Sequence, residues 1–242
     1  MDASKIKLVA FDLDGTLTQH KTPLESQNLA ILQELSKKYK LLMAGAGACM
    51  RIFNQMNGFP IDIIGNYGLQ YGEYNAETKT LDIKENHILP CDRASVEARV
   101  NMCREKYGFT EYAGDNVQYH ESGCVTFPII GTEAKIEDKL AFDPDRVKRR
   151  AIYAEVCEIF SEYNVFVGGS SSFDMAPRPF NKYYAIKNYC EKNGIDLSEV
   201  AFVGDDYGPG GNDESVYLSD IRFITIDDYR TFPEVIRNAG LL

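Results

Sequence analysis

The first part of the chain alternates short apolar runs with amphipathic segments. Residues 6–11 (IKLVAF) and 39–44 (YKLLMA) are apolar and predict two buried strands. Residues 22–25 (Thr-Pro-Leu-Glu) predict a capping box with proline at the first helical position, and residues 48–56 predict a second helix. Strand, helix, strand and helix in this order indicate a parallel α/β sheet.

The pattern changes after residue 70. Residues 70–84 alternate polar and apolar positions with turn formers, which is typical of an antiparallel hairpin or connection. Further along, the pattern predicts helices at 93–107 and 143–163 and strands at 117–130 and 165–175. The second helix starts at an Asp-Pro cap. This middle part therefore predicts a smaller α+β domain.

The α/β pattern returns after residue 177. A helix is predicted at 183–193 and strands at 200–203 and 222–226, with a polar, glycine-rich loop at 204–213. We therefore expect an α/β core with a parallel sheet, formed by residues 1–79 and 176–242. The α+β domain, residues 80–175, would be inserted into this core.

Composition narrows the class of protein. The chain has 242 residues, of which 44% are hydrophobic and 26% charged, so a disordered or fibrous chain is excluded. No apolar run approaches 18 residues, and the net charge of −10 argues against nucleic acid as a partner. Without a recognisable export signal, we expect a cytoplasmic protein, not bound to membranes, with its six cysteines reduced.

Acidic residues follow two of the predicted strands. Asp12 and Asp14 come after the first strand, and Asp205 and Asp206 come after the strand at 200–203. Open parallel sheets bind ligands beyond the carboxyl ends of their strands, so these carboxylates should lie together. Because they repel one another, a hard cation with oxygen ligands, usually Mg²⁺, is expected between them.

These motifs carry a family resemblance. FDLDGTLT at 11–18, Lys182 and GDD…GGND at 204–213 resemble the haloacid dehalogenase (HAD) superfamily of phosphotransferases, and within it the eukaryotic-type phosphomannomutases with a type IIB cap. The resemblance implies a Rossmann-like core, with Asp12 as the nucleophile, Asp14 as the general acid and base, and Lys182 as the cation beside the transferring phosphoryl group. It also implies Mg²⁺ held by Asp12, the backbone carbonyl of Asp14, and Asp205.

The resemblance further implies substrate contacts, with one departure. The implied substrate-binding residues are Lys21, Gly45, Lys139, Arg149, Ser172 and Asp174. The superfamily usually places a phosphate-binding Ser or Thr where this chain has Ala-Gly-Ala-Gly-Ala at 44–48. Backbone N–H groups of this loop, Gly45 included, are expected to bind the phosphate instead.

The predicted cap departs further from the family. At three positions where phosphomannomutases carry arginines, this chain has Glu121, Thr132 and Lys139, whose charges sum to zero. A mutase needs such cationic residues to hold the second phosphate of a bisphosphorylated sugar, and in this chain Arg149 or Arg150 would have to replace them. A phosphatase does not need this second phosphate clamp. The expected function is thus a Mg²⁺-dependent phosphatase of a small phosphorylated metabolite such as a sugar phosphate, as a monomer or a cap-mediated homodimer. The alternatives are a phosphomannomutase and a catalytically weak binding protein.

Overall fold

The computed structural model describes residues 3–242, and the first two residues of the predicted core lie outside this range. The chain divides into two compact units. The first contains residues 3–86, 181–208 and 213–242, and the second contains residues 87–180 and 209–212. The two boundaries predicted from the sequence at 79/80 and 175/176 thus correspond to passages of the chain between the units at 86/87 and 180/181. The first difference arises because residues 80–86 pair as a strand within the sheet of the first unit.

The first unit is built on a seven-stranded sheet in the order β11-β10-β1-β2-β3-β4-β5. The five strands from β11 to β3 are parallel, and β4 and β5 form the antiparallel hairpin that the alternation at 70–84 predicts. The strands are β1 (Leu8–Phe11), β2 (Lys40–Ala44), β3 (Asp62–Gly65), β4 (Gln70–Asn75), β5 (Thr80–Asn86), β10 (Val200–Gly204) and β11 (Arg222–Thr225).

Helices cover both faces of this sheet, which makes the first unit an α/β fold. The helices are α1 (Ser26–Leu35), α2 (Cys49–Gln55), α6 (Lys182–Asn193), α7 (Glu214–Tyr217) and α8 (Phe232–Asn238). Val9 and Phe11 of β1 belong to the core cluster that includes residues of α1, α2 and α8. Leu8 and Ala10 belong to the cluster on the α6 and α7 side. Because alternate residues of β1 are buried on opposite faces, the strand is apolar throughout.

The second unit is an α+β fold with an antiparallel four-stranded sheet in the order β6-β7-β9-β8. Its elements are α3 (Arg93–Tyr107), β6 (Gln118–Tyr119), β7 (Val125–Pro128), α4 (Ile136–Phe142), α5 (Val147–Ile159), β8 (Tyr163–Phe166) and β9 (Ser172–Pro177). Val100 of α3 and Val156 of α5 pack in one cluster with Phe127 and Phe173 of the sheet. Helix α4 buries no side chain.

Four predicted elements differ from the structure. Helix α1 begins at Ser26 and not at residue 23, because the Thr22 hydroxyl donates to the Gln19 carbonyl instead of capping a helix. The predicted strands at 117–130 and 165–175 are each interrupted by loops, so each contains parts of two strands. Helix α5 begins at Val147, four residues after the expected cap at Asp143.

Within residues 3–242, no helix combines the length and apolar character needed to cross a membrane.

Candidate active site

Three carboxylates meet at the carboxyl ends of β1 and β10. The two strands are parallel, with Phe11 opposite Val203, and the Asp12 N–H donates to the Val203 carbonyl over 2.9 Å. This pairing brings Asp12 next to the loop that follows β10. Asp12, Asp205 and Asp213 each offer an oxygen, and these oxygens all lie within 4.8 Å of one another. Such a group of carboxylates could hold a metal ion.

Two glycines allow the carboxylates to pack this closely. Gly15 has φ +101°, in the left-handed region, and a Cβ at this position would overlap the Asp205 carboxylate. A Cβ at Gly204 would lie 2.5 Å from Oδ2 of Asp213. Both positions therefore require glycine, because the approach of the carboxylate leaves no room for a side chain.

Lys182 lies among these carboxylates. It is the first residue of α6, whose N-cap, Asn181, accepts a hydrogen bond from the Tyr184 N–H. The Lys182 side chain is fully buried, and its Nζ donates to Asp12 over 2.5 Å and to Asp213 over 2.6 Å. Burial disfavours its charge, but the two carboxylates outweigh this cost and raise the pKa of Lys182.

The carboxylates themselves are held in an unfavourable environment. Burial raises the pKa values of Asp12 and Asp213, and the attraction of Lys182 does not fully offset it. Burial also raises the pKa of Asp205 to about 6, against a hydrogen bond from the Thr16 hydroxyl that lowers it. One ammonium group thus faces three acidic groups. A bound divalent cation would remove this excess of negative charge, so the residues present fit a metal ion of the Mg²⁺ type.

Asp14 lies apart from this cluster in its contacts. Its Oδ1 accepts from the Lys21 N–H and from Gln55 Nε2, both over 2.7 Å, and its Oδ2 faces the Arg51 guanidinium at 3.4 Å. Burial works against ionisation, but these hydrogen bonds outweigh it and keep the pKa of Asp14 below its usual value. The Lys21 side chain is exposed, and Lys21 contacts Asp14 through its backbone N–H.

The loop after β2 differs from the expectation in one respect. The Gly45 N–H donates to the Ile64 carbonyl over 2.9 Å, because parallel pairing with β3 continues to this residue. Gly45 is therefore not available as a backbone donor for a phosphate, and this part of the prediction is wrong.

In the second unit, Arg149 is completely buried and supports a loop. Its Nε donates to Asp143 over 3.0 Å. Its Nη1 donates to the carbonyls of Gly168 over 2.6 Å and Ser172 over 2.9 Å. A guanidinium bound in this way orders residues 168–172 and has no exposed surface with which to contact a substrate. Its predicted direct contact is thus replaced by a supporting role.

Ser172 and Asp174 lie at the start of β9 and share a hydrogen-bond chain. Asp174 Oδ1 accepts from the Thr126 hydroxyl over 2.9 Å and from the Ser172 hydroxyl over 3.4 Å. The Thr126 hydroxyl also pairs with His120 Nε2 over 3.0 Å. Burial raises the pKa of Asp174, and the hydrogen bond from Thr126 offsets this only in part.

Of the other positions singled out in the second unit, Lys139, Thr132 and Arg150 make hydrogen bonds within that unit. Lys139 Nζ donates to the Thr132 carbonyl over 2.7 Å, and the Thr132 hydroxyl accepts from the Asp115 N–H over 2.8 Å. Glu121 is exposed. Arg150 Nε donates to the Pro209 carbonyl over 3.1 Å, in a segment that belongs to the same unit.

Sequence reasoning missed Asp213, although it read the motif that contains it. The Asp213 N–H donates to the Asp206 carbonyl, and the Asp206 N–H donates back to Asp213 Oδ2 over 3.1 Å. This closure of the loop turns Asp213 towards Lys182. The signal in the sequence was the aspartate of GGND, which follows two loop glycines and Asn212. The partners of Asp14 on α2, Arg51 and Gln55, carried no motif.

Comparison with known proteins places the chain in a family. Residues 9–213 match the family model of haloacid dehalogenase-like hydrolases. The chain belongs to this family, and it is an enzyme of the phosphatase or phosphotransferase type.

Its relatives in sequence and in structure differ in their names. The chain is 25% identical to a phosphomannomutase of Solanum lycopersicum over 236 residues, covering 91% of this chain and 88% of that protein. A phosphomannomutase of Schizosaccharomyces pombe is 24% identical over 222 residues, covering 87% and 85%. An IMP-bound IMP-nucleotidase of Plasmodium falciparum has a TM-score of 0.69 at 17% identity, covering 98% of this chain and 69% of that chain. A HAD-superfamily phosphatase of Bacteroides thetaiotaomicron has a TM-score of 0.62 at 15% identity, covering 98% and 96%. The two structures show a shared fold.

Proposed function

We propose that this protein is a Mg²⁺-dependent phosphatase that hydrolyses a small phosphorylated metabolite, such as a sugar phosphate, through an aspartyl-phosphate intermediate. The observation that carries the proposal is the group of Asp12, Lys182, Asp205 and Asp213 at the carboxyl end of a parallel sheet. A nucleophilic carboxylate, a fixed cation and further acidic ligands are the parts that phosphoryl transfer through an aspartate requires.

In the first step, an Asp12 oxygen attacks phosphorus, and the bond between phosphorus and the ester oxygen breaks. Asp14, in its protonated form, gives its proton to that leaving oxygen and is left ionised. In the second step, Asp14 takes a proton from water, whose oxygen attacks the phosphorus of the aspartyl phosphate and releases inorganic phosphate and Asp12. The contacts of Asp14 with Gln55 and the Lys21 N–H favour its ionised form, which is the form needed for the second step. Lys182 balances negative charge in both steps.

We assign as metal ligands Asp12, Asp205 and the backbone carbonyl of Asp14, as predicted from the sequence. We add Asp213, whose carboxylate lies in the same group. When bound, Mg²⁺ supplies positive charge that lets an anionic carboxylate approach an anionic phosphate. Close packing of these carboxylates against Gly15 and Gly204 supports the assignment.

The proposal gives the remaining predicted residues roles in binding the substrate or in positioning the residues that bind it. Ser172 and Asp174 bind hydroxyl groups of the substrate, because both carry polar oxygens in one hydrogen-bond chain. Lys21 and Lys139 contribute positive charge to the binding of the phosphorylated substrate. Arg149 positions the 168–172 loop that carries Ser172 and does not contact the substrate.

A phosphomannomutase is the second candidate, and the names of the sequence relatives favour it. Two observations argue against it. Glu121, Thr132 and Lys139 together carry no net charge where the family is expected to carry three arginines. Arg149 is also committed to Asp143 and to backbone carbonyls, so it cannot serve as a substitute clamp. Unless Arg150 serves as the clamp, a bisphosphorylated sugar would lack a second site for its distal phosphate.

Product analysis separates the two candidates. We expect purified protein with Mg²⁺ and mannose 1-phosphate or glucose 1-phosphate to release inorganic phosphate. Adding a catalytic amount of the hexose 1,6-bisphosphate should not change the main product. If the 6-phosphate accumulates faster than free phosphate under these conditions, the protein is a mutase and the phosphatase proposal is wrong. The Asp12→Asn variant is the control for contaminating phosphatase.

A further inference from the structure

Arg51 of α2 extends back over the loop at residues 44–48. A Cβ at Gly47 would overlap the Nε and Nη2 atoms of Arg51. The guanidinium therefore occupies the space that a side chain at residue 47 would fill. The φ of Gly47 is not in the left-handed region, so the backbone conformation does not require glycine here.

The guanidinium lies beside the aspartates proposed to be catalytic. Strand β2 pairs in parallel with β1, with Met43 opposite Phe11, so Ala44, the last residue of β2, lies level with Asp12. The two terminal nitrogens of Arg51 are each 3.4 Å from Asp14 Oδ2. Arg51 thus joins the loop after β2 to the segment that carries the nucleophile.

The contacts that Arg51 makes do not exhaust its donors. Its short hydrogen bond, 2.7 Å, goes to Gln55 Oε1 on the same helix, whereas the two contacts with Asp14 are near the limit for a hydrogen bond. Its side chain is 42% exposed. A guanidinium has five N–H groups in a planar fork that fits phosphate oxygens, so this one can turn to an incoming anion.

The loop lacks the side-chain donor expected beside a phosphate, because residues 44–48 contain no hydroxyl group. The Gly45 N–H is bonded to Ile64, and the N–H of Cys49, which follows the loop, is bonded to Gln70 Oε1 over 3.1 Å. A charged group next to this loop would supply the contact that a hydroxyl makes elsewhere in the family.

We propose that Arg51 binds the phosphate of the substrate and takes the place of the missing hydroxyl. In the free enzyme its guanidinium faces Asp14, and in the complex it donates to phosphate oxygens. The inference rests on the proposed function, because it assigns one more residue to the same site. It makes Arg51 a specificity residue for dianionic phosphate esters.

The test is the affinity for inorganic phosphate, measured by titration calorimetry and as the inhibition constant against p-nitrophenyl phosphate. Removing one charge-assisted contact should weaken phosphate binding roughly tenfold or more in Arg51→Gln. Arg51→Lys should fall between this variant and the wild type, because it keeps the charge and loses the fork.

Arg230→Gln is the matched control, because Arg230 also pairs with an aspartate, Asp228, and is 72% exposed. Its phosphate affinity should equal that of the wild type. Melting temperatures of all variants verify that they fold. If Arg51→Gln folds and binds phosphate as tightly as a wild type that hydrolyses phosphate esters, the inference fails and the proposed function stands. A wild type that neither hydrolyses nor binds phosphate overturns both.

Discussion

At the scale of single residues, the site is a balance between one buried ammonium and three acidic groups. Lys182 satisfies Asp12 and Asp213, and Asp205 is left with the Thr16 hydroxyl as its hydrogen-bond donor. The raised pKa of Asp205, about 6, is the consequence of burial next to other carboxylates. A folded protein that holds a proton more tightly than the unfolded chain loses stability as the pH rises through that range.

Asp205→Asn should therefore stabilise the metal-free protein in a pH-dependent way. The unfolded pKa is near 3.8 and the folded pKa about 6, so the ionised Asp205 costs stability above this window and nothing below it. We expect the variant to match the wild type at pH 4 and to exceed its free energy of unfolding by about 1–3 kcal/mol at pH 7. Denaturant unfolding without metal measures this difference.

With millimolar Mg²⁺ the order should reverse at pH 7. The wild type gains stability from the bound ion, and the variant gains less because it offers one anionic ligand fewer. The result would be contradicted if, without metal, the free energies of unfolding of the variant and the wild type differed by the same amount at pH 4 and pH 7. The raised pKa would then not belong to Asp205.

At the scale of elements, the start of helix α5 depends on a buried ion pair. Asp143 accepts from the backbone N–H groups of Lys148 and Arg149 and from the Arg149 side chain. Arg149 in turn binds the carbonyls of the 168–172 loop, so one pair links a helix start to the strand β9 that follows this loop. Burial works against ionisation of Asp143, but these hydrogen bonds outweigh it and lower its pKa.

Asp143→Ala should destabilise the protein by about 3–5 kcal/mol at pH 7, since it leaves the Arg149 guanidinium buried without its partner. Because the folded pKa of Asp143 lies below the usual value, its contribution is complete above about pH 4 and decreases as the pH falls through the folded pKa. Chemical denaturation at pH 7 and pH 3 should thus give a smaller cost at pH 3. Asp145→Ala, two residues away, is the control and should cost little.

How far the sequence predicts the elements depends on where their signals lie. Four of the five parallel strands were predicted, and β1 and β10 most clearly, because they are continuous apolar runs that end at acidic loops. The fifth, β3, was not predicted. The start of α5 was not predicted either, because its Asp143 acts on N–H groups five and six residues ahead rather than as a local cap. Helix α4 was missed as well; it has seven residues, and its apolar residues Ile136 and Leu140 are exposed.

The same distinction applies to the candidate site. Asp12 and Asp205 follow strands whose pairing can be expected, so their meeting was predictable. Asp213 reaches Lys182 through a loop closed by its own hydrogen bonds with Asp206. Arg51 reaches Asp14 across 37 residues of sequence. Contacts of this kind depend on tertiary structure and leave no local pattern.

At the scale of the whole molecule, a net charge of −10 opposes the approach of a phosphorylated substrate. Salt screens this repulsion, since the Debye length falls from about 30 Å at 0.01 M to about 8 Å at 0.15 M ionic strength. We expect kcat/KM for a phosphate monoester to rise severalfold between these two conditions, with Mg²⁺ held at saturation. A fall in kcat/KM with salt would mean that local cations such as Lys21 and Arg51 dominate the encounter instead.

The central claim is that Asp12 carries the phosphoryl group during turnover. The most direct measurement is acid quenching of the enzyme with Mg²⁺ and a radiolabelled phosphate ester, followed by analysis of the protein. The account predicts a covalent label that hydroxylamine removes, as expected for an acyl phosphate, that maps to Asp12 and that is absent from Asp12→Asn. An enzyme that hydrolyses the ester while remaining unlabelled, or an Asp12→Asn variant that retains wild-type turnover, would contradict it.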